Sequence, residues 1–581
     1  MKILFCLLHF GYERNFEPVI RELAARGHDV HIAAERTDRD PAKAVVEAIA
    51  HQHKNVTVGT LPGREKDQYR DVVQRIRTGF DYLRYLEPTY HGMPGLRMRS
   101  EDRVPVGLLR LLDLPGMKTA AGRAMIRLTL RQLERASPPS EAITEYLHST
   151  RPDALLITPL IGIVTSSQLD YVAAAKRLGI PTGFCVWSWD NLSSKALLRD
   201  LPDRIFVWNE TQKNEAVALH HVPSRRVVVS GAQCFDRWFD RKPSRSREEF
   251  CRAAGLPIDR PYVLYVCSTM VWKSPPEAQF VVRWIRHLRA SADPILRDAA
   301  ILVRPHPGRL QEWNDVDLSG FENVALSGRV GAAGAGAAYP IDDDSRAEYF
   351  DALYYSSAVV GINTSAFIEA GIIGRPVYAI LADEFSGTQA GTIHFRYLTE
   401  VGGGVAQAGR EFDEHAAQLA GALKGQSHHE ERQRRFLHAF VRPRGLDQPA
   451  TPVFADAVED LVRTGRTAAG TGAGLKKGAG LKTRPYTGQA YARPVIAGAA
   501  LDRLVQFTQY GRGKRLIMTK DEFVAAAVNE TPRTPLIEKF RERTRKRFKK
   551  VQKQARWARK RTINARDRVL AAAMKITGIH S

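Results

Sequence analysis

Residues 302–310, LVRPHPGRL, hold one imidazole between two prolines. Proline fixes φ and offers no backbone N–H, so His306 can lie neither inside a helix nor in a central strand. The apolar run AAILV leads into Arg304, which puts the motif where a buried strand ends. Ligands of open α/β sheets sit beyond such carboxyl ends. A stiffly held imidazole there suits a phosphate or a leaving-group oxygen. Arg304 can fork onto a diphosphate or pair with a structural carboxylate. A surface histidine in a proline-rich turn is the plain alternative.

A second stretch, VVGINTSAFIEAGIIGRPVYAI (359–380), has the same grammar. A buried run ends at Asn363, Thr364 and Ser365 open a short helix, and Glu369 stands one turn on. Hydroxyl residues at a helix start can cap it, and free N–H groups there attract phosphate. Glu369 is spaced to meet ribose hydroxyls, or solvent. The loop DEFSGTQAGTIHFRYL (383–398) adds Glu384, Gln389, Thr392 and His394, suited to donor-sugar hydroxyls or to structure alone. In the first half, HFGYERNFE (9–17) offers His9, Glu13, Arg14 and Asn15. VWSWDNLSSK (186–195) offers Trp187, Trp189, Asp190, Asn191 and Lys195, types that bind sugars, although the tryptophans serve core packing equally well. An inverting transfer needs one carboxylate or imidazole to take the acceptor proton. Asp190, Glu13 and His9 all stand open for that role.

The elements that must position these residues read as α/β. KILFCLL (2–8) is a continuous apolar run, as in a strand buried on both faces of a parallel sheet. A helix at about 16–26, ended by Gly27, and the strand DVHIAA follow. Residues 66–147 read as helical, an insertion beside the first sheet. Strands resume at ALLIT, TGFCVW, RIFVW and VVVSGA. The second half restarts with PYVLYVCS, a helix at 278–289, the strand carrying His306, NVALSG, AVVGIN and PVYAIL. A long helix over 412–440 and a return helix over 452–464 close it. Two facing Rossmann-like α/β domains follow, 1–235 and 236–465, then a flexible Gly/Ala-rich linker (466–505) and a basic helical tail (506–581).

Composition narrows the classes. The 581 residues suffice for about three to four domains of roughly 150 residues each. Five cysteines without paired spacing fit a reducing compartment rather than a disulfide framework or zinc ribbon. No run approaches the ~18 apolar residues of a membrane span. Residues 466–581 hold 28 of the 86 Lys and Arg but 7 of the 63 Asp and Glu, so +21 of the net +23 lies in this segment. Within it, Ile537, Phe540, Thr544, Phe548, Val551, Ala555 and Ala558 step at near-heptad spacing along a helix otherwise rich in Lys and Arg. Such a helix over 538–576 suits an anionic membrane surface, with nucleic acid and helix pairing as alternatives. There is no GxxxxGK[ST] loop, HExxH or GxSxG. Asp342-Asp343-Asp344 reads as a solvated turn, and no metal site is expected.

RPHPG followed by NTSAFIEAG and GRPV resembles the C-terminal half of GT-B-fold glycosyltransferases, most like those acting on capsule, teichoic and sialic polymers. The resemblance spans roughly 1–465 and is strongest over 299–400. It implies that His306, Thr364 and Ser365 hold the phosphates of a nucleotide-activated donor and Glu369 its ribose. Arg304, Asn363, Glu384 and Gln389 would complete the donor site. Arg14, Asn15, Trp189, Asn191 and Lys195 would meet a glycan or lipid-linked acceptor. No cofactor is implied beyond the donor, and the enzyme would be cytoplasmic and peripheral to the inner face of the plasma membrane. The sequence departs from the sialyl-type pattern in lacking its acidic-acidic-glycine triplet. Two rivals stand beside this reading: a UDP-sugar 2-epimerase of the same fold, and a nucleic-acid-binding protein acting through the tail.

Overall fold

The computed structural model describes residues 1–37, 42–65, 67–162, 166–269, 274–327, 343–471, 494–509, 517–519 and 522. Residues Met1–Ile517 form one compact unit and Met518–Ser581 a second. In the second, Thr519 and Glu522 exchange the reciprocal bonds of a capping box. The segment 538–576 lies outside the described residues.

The first unit holds two parallel sheets. Strands β1 (Lys2–His9), β2 (Asp29–Arg36), β3 (Val56–Thr60), β4 (Ala154–Thr158), β5 (Thr182–Cys185), β6 (Arg204–Val207) and β7 (Val227–Val229) stand in the order β3-β2-β1-β4-β5-β6-β7. Strands β8 (Tyr262–Val266), β9 (Ala300–Arg304), β10 (Val324–Leu326), β11 (Ala358–Gly361), β12 (Val377–Ile380) and β13 (Ala406–Gly409) stand in the order β10-β9-β8-β11-β12-β13. These are the two Rossmann-like α/β domains expected, here called lobes 1 and 2. In each, the strand order reverses once, between β1 and β4 and between β8 and β11. Those switch points are where such sheets bind ligands. The apolar runs explain the central strands: Ile3 to Leu7 and Tyr262 to Tyr265 are fully buried, because helices cover both faces.

The expected helical insertion is present as five α-helices between Arg70 and Thr150. Buried arginines hold it together and tie it to lobe 1. Arg77 bonds Glu134 and Asp170, and Arg64 bonds the same Asp170.

Three expectations change. The single helix over 412–440 is two, Phe412–Leu423 and Glu430–Phe440, because Gly425 takes φ +72° and ends the first. The end of the expected linker is the helix Val495–Gln509, whose Leu501 and Val505 bury against Val72, Ile76 and Phe80 of the insertion. Asp343 and Asp344 open the helix Asp343–Tyr354 rather than a turn, and Asp342 lies outside the described residues. Strands β3 and β13, short and weakly apolar, had no distinct signal in the sequence.

The chain crosses between lobes near residues 230–236 and again at 441–450, where the helix Ala450–Thr471 returns to lobe 1. Its Phe454, Val458, Leu461 and Val462 complete the lobe 1 core. Asp236 ties the two crossings together. Its carboxylate accepts from Arg442 (2.9 and 3.1 Å), the Ala450 N–H (3.0 Å), and Thr451 N–H and hydroxyl (2.7 and 2.6 Å).

Candidate functional site

On lobe 2, the switch strand β8 runs on into Ser268 and Thr269, and these two hydroxyls join the motifs. Ser268 Oγ accepts from the Asn363 N–H (3.1 Å), and Thr269 Oγ1 lies 3.0 Å from His306 Nε2. Strands β9 and β11 flank β8, so their ends stand two strand spacings apart, about 10 Å. Gly361 ends β11 because a Cβ there would lie 2.7 Å from Val266 O.

The rigidity of His306 now has a cause. Its Nδ1 accepts from the Gly308 N–H (3.1 Å), capping the 3-10 turn that Pro307 begins. Burial, then the Arg14 and Arg309 charges, push the imidazole down to about 4. The ring is therefore neutral at physiological pH. With Nδ1 an acceptor, the proton sits on Nε2, facing Thr269 or a ligand oxygen. The Thr364 hydroxyl accepts from Ala366 N–H (3.3 Å), while Ser365 is exposed and its hydroxyl caps nothing. Asn363 donates its amide to Thr388 O and leaves a buried Oδ1 without a partner.

Other residues expected at the donor site are placed differently. Arg304 is spent inside the lobe, bonding Ser327 Oγ (2.9 Å) and Glu348 (3.3 Å) and lying 4.9 Å over the Tyr349 ring. Gln389 is withdrawn from any ligand: its amide donates to Ile362 O and Ile380 O and accepts from Ala382 N–H, at 2% exposure. Thr392 turns its hydroxyl to Gln389 O. Glu384 pairs with Arg283 on the lobe surface. Glu369 accepts from the Tyr349 hydroxyl. Burial raises its carboxyl, against the pull of Tyr349, Arg237, Arg14 and Arg304.

Arg14, from the turn after β1, thus acts on both His306 and Glu369 across the lobes. Beside it, Glu13 is 1% exposed and its Oε1 has no hydrogen-bond partner. Burial pushes this carboxyl up to about 8, with the Glu17 charge adding and Arg346 and Arg237 opposing. Burial also opposes ionisation of Glu17, yet Arg237 (3.3 Å), Arg21 (3.1 Å) and Arg346 (3.9 Å, from lobe 2) hold it below the usual range. Asn15 serves the turn, donating to Tyr12 O and accepting from Gln233.

His9 ends β1 with its ring 4.6 Å from Tyr12, and Tyr12 meets Trp187 edge-on at 5.2 Å. Tyr12 and Trp187 line a cavity of about 340 Å³ at the lobe 1 switch point, with Pro159, Ile161 and Gly162 after β4. Arg99, Ser100 and Arg103 of the insertion form its other side, and Lys195 closes it. Asp190 bonds Lys195 (2.9 Å), Ser188 (2.6 Å) and Ser194 (3.2 Å). Burial opposes its charge, but Lys195 and His394 hold the carboxyl well below the usual range. So complete an engagement makes it a poor proton acceptor. Trp189 packs into the lobe 2 core, edge-on to His394 at 4.9 Å, and Asn191 is fully buried; both leave the acceptor site. Among the described residues no group of three or more His, Cys, Asp or Glu could hold a metal. No described helix is long and apolar enough to cross a membrane.

Ser268 and Thr269 had a usable signal, since Ser268 closes the apolar run PYVLYVCS and Thr269 follows it. Arg99, Arg103, Arg237 and Arg346 had none.

No protein-family model and no curated protein matches the chain. Among solved structures it is similar to the UDP-GlcNAc 2-epimerase of Neisseria meningitidis bound to UDP-GlcNAc (14% identity; 79% of this chain, 100% of that chain; TM-score 0.45). A glycosyltransferase from Rickettsia africae gives 10%, 80%, 98% and 0.44 in the same terms. A wall teichoic acid polymerase gives 12%, 80%, 89% and 0.39. At such identities and scores, activity has to be read from the side chains.

Proposed function

We propose that the chain is a transferase of the GT-B type, moving a glycosyl or polyol-phosphate unit from a nucleotide-activated donor to a glycan or lipid-linked hydroxyl. The observation that carries this is the meeting of His306, 3.0 Å from Thr269, and the Asn363–Ser365 turn, held by Ser268 (3.1 Å), at the carboxyl end of the switch strand of lobe 2, where Arg346 reaches Glu17 of lobe 1 (3.9 Å). The donor phosphates would lie between the Nε2–H of His306 and the Thr364–Ser365 turn, with Arg14 closing over them. A neutral imidazole donates a hydrogen bond to phosphate without titrating near pH 7. The free Asn363 Oδ1 suits a ribose or base donor, and Glu369 a ribose hydroxyl. Glu13, buried and raised, is the group suited to take the acceptor proton.

Thermal shift of the full chain with UDP-, CDP-, CMP- and GDP-linked donors tests the donor site, since a ligand stabilises the fold by mass action. One donor should raise Tm, and His306→Ala should erase that rise. No rise with any donor removes the reading. The Glu13–Glu17 carboxylate pair also fits a 2-epimerase, which exchanges a sugar proton with solvent. Incubation with donor in deuterated water separates the two: label in the sugar favours the epimerase, transfer to an acceptor the transferase. The cationic segment 538–576 would hold the enzyme to an anionic cytoplasmic leaflet. Sedimentation with phosphatidylserine vesicles, lost on deletion of 538–581, checks this.

A further inference from the structure

The lobe 1 cavity carries more positive charge than a neutral sugar needs. Arg99, Arg103 and Lys195 line it against one carboxylate, Asp81. Asp81 is already engaged by Arg199 (3.2 Å) and the Leu197 N–H (3.0 Å). Lys195 is tethered to Asp190 (2.9 Å). Arg99 gives one N–H to Ser194 O (2.7 Å) and meets the Tyr85 hydroxyl, which anchor it at the cavity. The Arg103 side chain makes no hydrogen bond or ion pair among the described residues, and neither does the Ser100 hydroxyl; the Arg103 N–H donates to Ser100 O (3.1 Å).

A second observation is independent of charge. The Trp187 ring lines the cavity wall. Tyr12, edge-on to Trp187, adds a second aromatic face. Ring faces and two guanidinium groups fit a pyranose that bears an anion.

We propose that this cavity is the acceptor subsite and that the acceptor carries a phosphate or carboxylate, read by Arg99 and Arg103, beside the ring held at Trp187 and Tyr12. The inference rests on the transferase reading. The guanidinium fork matches both anions bidentately, so the source is left to the test. Gly162 permits the fit: it takes φ +96°, and a Cβ there would press to 3.2 Å from the Lys195 side chain.

Calorimetry on the full chain would use glucose 1-phosphate, glucuronic acid and methyl glucoside as probes. At least one anionic probe should bind tenfold or more tightly than the neutral glucoside. The better anion names the source. Arg103→Ala should erase the preference; this side chain is exposed and unpaired, so the fold is not at risk. Trp187→Phe should weaken all bound probes alike. The donor-induced rise in Tm should survive Arg103→Ala. Equal binding of charged and neutral probes, or no binding of either anion, overturns the proposal. Anion binding without any nucleotide binding overturns the donor reading instead.

Discussion

The turn after β1 and the turn after β5 both put a carboxylate at the carboxyl edge of lobe 1, and their fates are opposite. Glu13 is buried beside another carboxylate, leaves one oxygen unpartnered and is raised to about 8. Asp190 is wrapped by a lysine and two serines and is held well below its usual range. Equal chemistry at equal positions is thus split by neighbours. A raised carboxyl near working pH can move a proton, whereas a depressed and saturated one organises its surroundings.

The largest effect expected is on turnover. Glu13→Gln should lower kcat by about 10²- to 10⁴-fold, the worth of a positioned proton acceptor. In the parent enzyme the rate should climb with pH and level off above about 8, as Glu13 loses its proton. Retained activity in that variant, with loss in His9→Ala, would move the role to His9.

Asp190→Ala should act mainly on stability. It leaves Lys195 and the Ser188 hydroxyl without their acceptor and should cost about 2–3 kcal/mol in chemical denaturation. A folded, stable but inactive Asp190→Ala would reverse the assignment of the two carboxylates.

The pH dependence of stability sharpens the contrast. Glu13 is raised, so between its ordinary range and about pH 8 the native state holds a proton that the unfolded state has lost. Its contribution is full below that window and falls as pH rises through it. Glu13→Gln should therefore gain in stability relative to the parent as pH rises from 4 to 9. Asp190 is depressed, so its contribution is present above the ordinary aspartate range and is lost as pH falls below it. Denaturation at pH 2, 4, 7 and 9 would resolve both slopes.

The smallest effect concerns the inter-lobe arginine. Burial is the main cause holding His306 near 4, and Arg14 adds to it. Arg14→Gln should move the imidazole titration upward, seen by NMR of the ring protons. An unmoved titration would separate the two lobes' edges electrostatically.

Much of this was legible in the sequence because strands buried on both faces are contiguous apolar runs. Their ends announce themselves, and RPHPG and INTS lie at two of them. The break at Gly425 is masked by helical periodicity that runs on both sides of it. What could not be read was partnership. Gln389 and Trp189 have ligand-binding side chains, yet one is consumed by backbone groups and the other by the opposite lobe's core. His394 lies far from Asp190 in sequence, so the pull on that carboxyl exists only in the fold. Arg99 and Arg103 sit in an insertion whose sequence says only helix.

The carboxylate of Asp236 grips both passages of the chain between the lobes. Two cords knotted at one point share one fastening: taking away that single carboxylate would release both passages at once and leave the buried Arg442 guanidinium without its counter-ion.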